Sequence, residues 1–253
     1  MQLILSSLDN PKLRHIQHLR DSRKTRCEHQ EFLLELPKSI EDLLTRNPML
    51  ISGIYIAQSC YEKYQGWADK VRLFCVEDRV FSALSTVKHS QGVLAVVHQK
   101  KWEFELNQCA KILIADGVSI PSNLGAMIRN GAAFGLDAFF VTAGSTDPHH
   151  PDSVRAASGF LDLFPIEVLT SAHISVLKDR RWIFFDPQSD SCLNVLDLAG
   201  PVVLVMGGEG QGVTHSLIEA VGASGKQVRI PTHSMVESLN VSVTSGIVLY
   251  LSR

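Results

Sequence analysis

Short apolar runs alternate with amphipathic stretches along this chain, and they form two series. In the first, Phe32-Leu-Leu, Ile54-Tyr-Ile-Ala, Val71 to Val76 and Val93 to Val97 have strand length and are rich in β-branched residues, with helix-like stretches over 11–30 and Ser39 to Thr45. In the second, Lys111-Ile-Leu-Ile-Ala, Ala138-Phe-Phe-Val-Thr, Trp182-Ile-Phe-Phe-Asp, Pro201-Val-Val-Leu-Val-Met and Gln227-Val-Arg-Ile read as strands. Between them a helix runs through Leu124, Met127, Ile128 and Ala132, capped by Ser122 or Asn123 and ended at Gly135. Ser153 to Ser158, Thr214 to Val221 and Leu239 to Leu251 are also helical, the last with Leu239, Val243, Ile247 and Tyr250 on its apolar face. The prediction is α/β throughout: a small α/β domain over 1–98, a connection over 99–109, and a domain over 110–253 whose mainly parallel sheet is covered by helices.

Composition narrows the class. With 45% hydrophobic and 20% charged residues the chain can build a core, which excludes a disordered protein. The formal net charge of −2 excludes a uniformly basic coat, so any nucleic-acid contact must come from a local patch. One candidate is the 11–30 segment, where Lys12, Arg14, Arg20, Arg23, Lys24 and Arg26 stand against Asp21 and Glu28; a solvated helix face is the competing reading. Cys27, Cys60, Cys75, Cys109 and Cys192 are scattered and form no C-x-x-C pair, so neither a disulfide framework nor a metal site is expected, and the compartment is taken as cytoplasmic. No apolar stretch reaches the roughly 18 residues of a membrane span.

The glycine-rich run Gly207-Gly-Glu-Gly-Gln-Gly directly after a strand invites a dinucleotide-binding reading. The spacing fails it: from Gly208, the G-x-G-x-x-G pattern needs Gly or Ala where Val213 stands. Arg229 also stands about where the ribose-binding acid belongs. A strand entering several glycines still lets backbone approach a ligand closely, though alone it could be only a tight turn.

Three segments together decide the matter. They are Asp116-Gly-Val-Ser-Ile-Pro-Ser-Asn-Leu-Gly-Ala-Met-Ile-Arg-Asn-Gly-Ala-Ala-Phe-Gly135, Val203-Leu-Val-Met-Gly-Gly-Glu-Gly-Gln-Gly-Val213, and Ile230-Pro-Thr-His-Ser-Met-Val-Glu-Ser-Leu-Asn-Val-Ser-Val243. In order and spacing they resemble the three motifs of the SpoU/TrmH family of knotted RNA 2′-O-ribose methyltransferases, over roughly 110–253. Ser6 to Arg14, Glu31 to Glu35 and Gln91 to Val97 resemble the ribosomal-protein-like substrate-binding domain of many relatives. The chain departs from the family at Leu36, where relatives have Gly, and at Thr232 and Ser234, where the third motif has Met and Gly.

The resemblance implies methylation of a ribose 2′-hydroxyl in RNA, rRNA before tRNA, with S-adenosylmethionine as donor. It implies a C-terminal trefoil knot, which periodicity could never suggest, and a homodimer. It places Arg129, Glu209, Ser238 and Asn240 in catalysis, Gly207, Ile230 and Leu239 at the cofactor, and Asn123 at the substrate; Arg20, Arg23 and Arg26 are candidate RNA contacts from the basic segment. Arginine is effectively always protonated, so Arg129 is expected to clamp a phosphate and stabilise the alkoxide rather than act as a base. The alternatives are an RNA-binding protein that keeps the fold without catalysis, and a small-molecule methyltransferase or nucleotide-binding oxidoreductase.

Overall fold

The computed structural model of the chain describes residues 3–194, 198 and 200–252, in two compact units. The first comprises residues 1–100 and 149–159, the second 101–148 and 160–253. Residues 149–159 thus group with the first unit, an excursion that a reading in chain order does not anticipate.

In the first unit the elements are β1 (Ile4–Leu5), α1 (Pro11–Asp21), α2 (Arg23–His29), β2 (Glu31–Leu34), α3 (Pro37–Arg46), β3 (Ile51–Ala57), α4 (Tyr61–Tyr64), β4 (Leu73–Val76), α5 (Asp78–Leu84) and β5 (Val93–His98). The strands form one sheet in the order β1-β4-β3-β5-β2, with β1, β4 and β3 parallel and β5 antiparallel to both β3 and β2. The helical stretch expected over 11–30 is two helices: Ser22 leaves the helical conformation and its side chain accepts from the Thr25 amide, capping α2. The first helix buries Leu13, Ile16 and Leu19 on a core with Leu33, Tyr55, Val76, Phe81 and Val96. Burial pushes the Tyr55 phenol up to about 12; the negative charge of Glu31 adds to the shift and Arg72 opposes it, so Tyr55 stays neutral.

In the second unit the elements are β6 (Lys111–Asp116), α6 (Pro121–Phe134), β7 (Ala138–Val141), β8 (Ile166–Val168), α8 (Ser171–Val176), β9 (Arg181–Phe185), β10 (Val202–Gly207), α9 (His215–Val221), β11 (Gly225–Val228) and α10 (Val241–Leu251). The helix α7 (Pro151–Ala156), between β7 and β8 in sequence, belongs to the first unit. There Phe32 and His149 set their rings 5.1 Å apart, the Ser39 hydroxyl donates to the Ser158 carbonyl at 2.7 Å, and Gly159 lies hard against Ser39.

The six strands are ordered β11-β9-β10-β6-β7-β8, and every described pair is parallel. Parallel strands lie between helical layers, which explains their uninterrupted apolar runs. Ile112, Ile114, Val203, Val205, Phe140, Trp182 and Phe184 face one layer with Leu217 and Val221 of α9; alternate residues such as Leu113 and Leu204 are equally buried. The helices α6 and α10 pack together through small residues: the Asn130 amide donates to the Ser242 carbonyl at 2.8 Å and the Ser245 hydroxyl at 3.0 Å, beside Gly246. The expected apolar face of α10 is corrected here, because Val243 and Tyr250 are about half exposed while Ser245, Val248 and Leu249 are buried.

Candidate active site

The carboxyl ends of β9, β10 and β11 open onto a cavity of ≈ 460 Å³, where parallel sheets place their ligands. Its walls are Phe185 to Gln188 after β9, Met206 to Gly212 after β10, Val228 to Ile230 after β11, and Thr232, Glu237 to Val241 and Thr244 on the approach to α10. Gly207, Ile230, Leu239, Glu209, Ser238 and Asn240, all singled out in the sequence, meet here.

The glycines at 207 and 208 are required by crowding. A Cβ on Gly208 would stand 2.0 Å from the Gly117 carbonyl oxygen, and one on Gly207 would stand 2.1 Å from the Gly212 carbonyl carbon. The glycine run therefore folds back on itself and presses against the end of β6, where the Gly208 amide donates to the Asp116 carbonyl at 2.7 Å. The buried Asp116 carboxylate accepts from the Thr214 amide at 2.7 Å and fixes the start of α9.

Above this floor three polar side chains join. Asn123 donates through Nδ2 to Glu209 Oε1 and accepts at Oδ1 from Asn240 Nδ2 at 3.1 Å. Glu209 Oε2 also accepts from the Ser119 amide at 3.4 Å. The cap expected from Ser122 or Asn123 is corrected: α6 begins at Pro121 with no side-chain cap, which leaves the Asn123 amide available to Glu209. Asn240 instead caps α10, accepting from the Ser242 amide at 2.9 Å. Arg129 is exposed on α6 and lies outside the cavity lining.

The charges on the walls are selective. Asp186, Glu209 and Glu237 stand against Arg229 alone among the lining residues, an excess of acid that attracts a cationic ligand and repels a pyrophosphate. No described helix is long and apolar enough to cross a membrane.

In the first unit the three candidate RNA contacts differ. Arg26 is a correction: only 3% exposed, it donates to the Leu19 carbonyl at 2.6 Å and the Arg20 carbonyl at 3.1 Å, so it closes the end of α1 and cannot reach a phosphate. Arg20 binds Asp21 at 2.8 Å and the Ala83 carbonyl at 2.7 Å, and the hydrogen bond to Asp21 raises its already high pKa against the opposing effect of burial. Arg23 is exposed at the start of α2.

The comparisons agree with this architecture. Residues 110–250 match the SpoU rRNA Methylase family and residues 10–95 an MRM3-like substrate binding domain. The 23S rRNA guanosine 2′-O-methyltransferase RlmB of Bordetella pertussis is 32% identical over 83% of this chain and 91% of its own length. The RlmP methyltransferase of Bacillus subtilis is 26% identical over 98% of both chains. An AdoMet-bound rRNA methyltransferase from Sinorhizobium meliloti superposes with a TM-score of 0.80 at 25% identity, covering 99% of this chain and 97% of that one. A fold that sets a parallel sheet edge against a glycine-lined cavity and the capped helix α10 is shared with these RNA methyltransferases. The chain belongs to the SpoU rRNA methylase family.

Proposed function

We propose that this chain methylates a ribose 2′-hydroxyl of ribosomal RNA, and that the cavity at the ends of β9, β10 and β11 receives S-adenosylmethionine. The RNA 2′-O-ribose methyltransferase class and its cofactor follow from family membership; rRNA in preference to tRNA rests on the relatives' own activities. The observation that carries the reading is the acid-rich, glycine-floored cavity, which suits a ligand with a cationic sulfonium and amino group.

When bound, S-adenosylmethionine would supply an electrophilic methyl group for the ribose oxygen. The residues do the rest. Gly207, Ile230 and Leu239 are proposed to hold the nucleoside part with main-chain groups. Asn123, Glu209 and Asn240 form a rigid polar bridge that orients the ribose, with Ser238 beside it. Arg129, exposed on the helix that carries Asn123, is proposed to hold a phosphate of the RNA and stabilise the oxyanion as the hydroxyl proton leaves for solvent.

The first unit is proposed as the RNA-binding domain and the second as the methyltransferase domain, with the C-terminal segment threaded as a trefoil knot. The half-exposed Val243 and Tyr250 support a homodimer built on α10. The protein is placed in the cytoplasm with its RNA. Calorimetry with S-adenosylmethionine and with NAD tests the reading, followed by mapping of 2′-O-methyl groups on rRNA incubated with the protein. Binding of the first alone, with one new ribose methyl, is expected; failure to bind S-adenosylmethionine would leave an RNA-binding protein that has lost catalysis.

A further inference from the structure

Three histidines converge on one carboxylate in the first unit. His15 lies on α1, His29 ends α2 and Glu31 opens β2, while His98 at the end of β5 is the register partner of Glu31 across the antiparallel pair. His15 Nε2 stands 2.5 Å from Glu31 Oε2, and His98 Nδ1 stands 3.3 Å from Oε1. The rings of His15 and His29 meet edge to face with centroids 4.7 Å apart. One ligand atom from each of His15, His29 and Glu31 lies within 4.8 Å of the other two. The Glu31 side chain is only 12% exposed. His15 and His98 occupy the two oxygens of Glu31, and the His29 ring, packed against His15, brings one more nitrogen within reach of them.

We propose that His15, His29 and Glu31 bind one divalent transition-metal ion of the zinc class. Two imidazole nitrogens and a carboxylate oxygen are donors such ions accept, whereas magnesium and calcium take oxygen ligands. With metal–donor distances of about 2.0–2.2 Å, donors around a tetrahedral ion sit about 3.3–3.6 Å apart. The widest separation must close by about 1.2–1.5 Å, which rotation of the exposed His29 side chain can supply, and the His15–Glu31 pair must open by about 1 Å as the ion replaces the proton they share. His98 then has a role of its own: it holds the carboxylate oxygen that does not face the ion, the usual support for a ligating acid. Three protein ligands leave the fourth position to water or another small ligand. Bound there, the ion ties the α1–α2 corner, which bears most of the chain's basic segment, to the first strand of the sheet edge.

The test uses the full chain, purified without a polyhistidine tag and stripped with chelator. Zn²⁺ is titrated by calorimetry and Co²⁺ by visible absorption. One ion per chain is expected, with the intense d–d bands of tetrahedral cobalt and no thiolate charge-transfer band. His15→Ala and His29→Ala should each weaken Zn²⁺ binding by more than tenfold on the order-of-magnitude scale of lost ligands, and His98→Ala by about tenfold. His18→Ala, exposed on α1 outside the cluster, should leave binding unchanged. Circular dichroism checks each fold, and the exposed His29 is the decisive position should His15→Ala unfold. Absence of an ion, binding by His29→Ala equal to the parent, or a thiolate band reporting Cys27 or Cys192 would overturn the proposal.

Discussion

The Asn240 amide donates to Asn123 Oδ1 at 3.1 Å, joining the entrance of the last helix to the first turn of α6 across 117 residues of chain. Asn123 passes the connection on to Glu209, so the first of the three motif segments touches both of the others. The bridge is exposed, which makes it worth little to stability and accessible to a substrate.

That separation gives the first prediction. Asn123→Ala should cost less than roughly 1.5 kcal/mol of stability, the range of a net hydrogen bond, yet lower turnover by tenfold or more, about 1.4 kcal/mol in the barrier. Denaturant melts and single-turnover methylation measure the two effects. Equal losses in both would make the bridge structural.

Gly208 offers the opposite case. Alanine there drives a methyl into the Gly117 carbonyl, backbone against backbone, so Gly208→Ala should destabilise by about 1–3 kcal/mol as overpacking does. S-adenosylmethionine affinity should fall with it, because the floor of the cavity must shift. Gly210→Ala meets no atom within 4 Å, but its φ of +87° strains any L side chain, so a smaller loss is expected. Thermal melts of the two variants, with and without ligand, check the order.

Arg129 stands outside the cavity walls, so its replacement should leave the cofactor alone. Arg129→Lys is expected to lower kcat strongly with S-adenosylmethionine affinity nearly unchanged, since lysine keeps the charge and loses the planar fork. Calorimetry on the cofactor and steady-state kinetics on RNA separate these. A variant with full turnover would remove Arg129 from the reaction.

Arg26 and Arg23 should part company. Arg26→Ala strips two carbonyls at the end of α1 of a charged donor and should cost about 1.5–3 kcal/mol. Arg23→Ala should change stability little and weaken RNA binding, with the slope of log affinity against log salt shallower by about 0.7 for a contact to single-stranded RNA. Denaturation and salt-dependent filter binding give the answer.

Most strands of the second unit were plain in the sequence because parallel strands buried on both faces are continuous apolar runs, as Pro201 to Met206 is; the three-residue, part-exposed β8 was not. The break at Ser22 was not, since a capping serine inside a polar, amphipathic stretch looks like any helical surface residue. The burial of Arg26 hides for a related reason: its guanidinium serves carbonyls seven and six residues back, contacts that exist only once α1 has ended. The α10 helix misled because it is apolar nearly all round, so tertiary packing on Asn130, through serines, selects its buried face. Of the site, the residues of the three motifs were legible through their resemblance. The bridge between Asn123, Glu209 and Asn240 was not, because no spacing rule links positions so far apart. His15, His29 and Glu31 escaped for the same reason, with no cysteine pair to announce them.

The return of residues 149–159 to the first unit means that its parts are not contiguous in the gene. Swapping the N-terminal part of the chain between relatives at the 99–109 connection alone would carry β2 and α3 away from the Ser158 carbonyl and the α7 turn on which they pack. A working chimera would have to exchange two stretches of coding sequence together. Recombination at a single crossover should accordingly yield hybrids that fold poorly, however well their methyltransferase halves match.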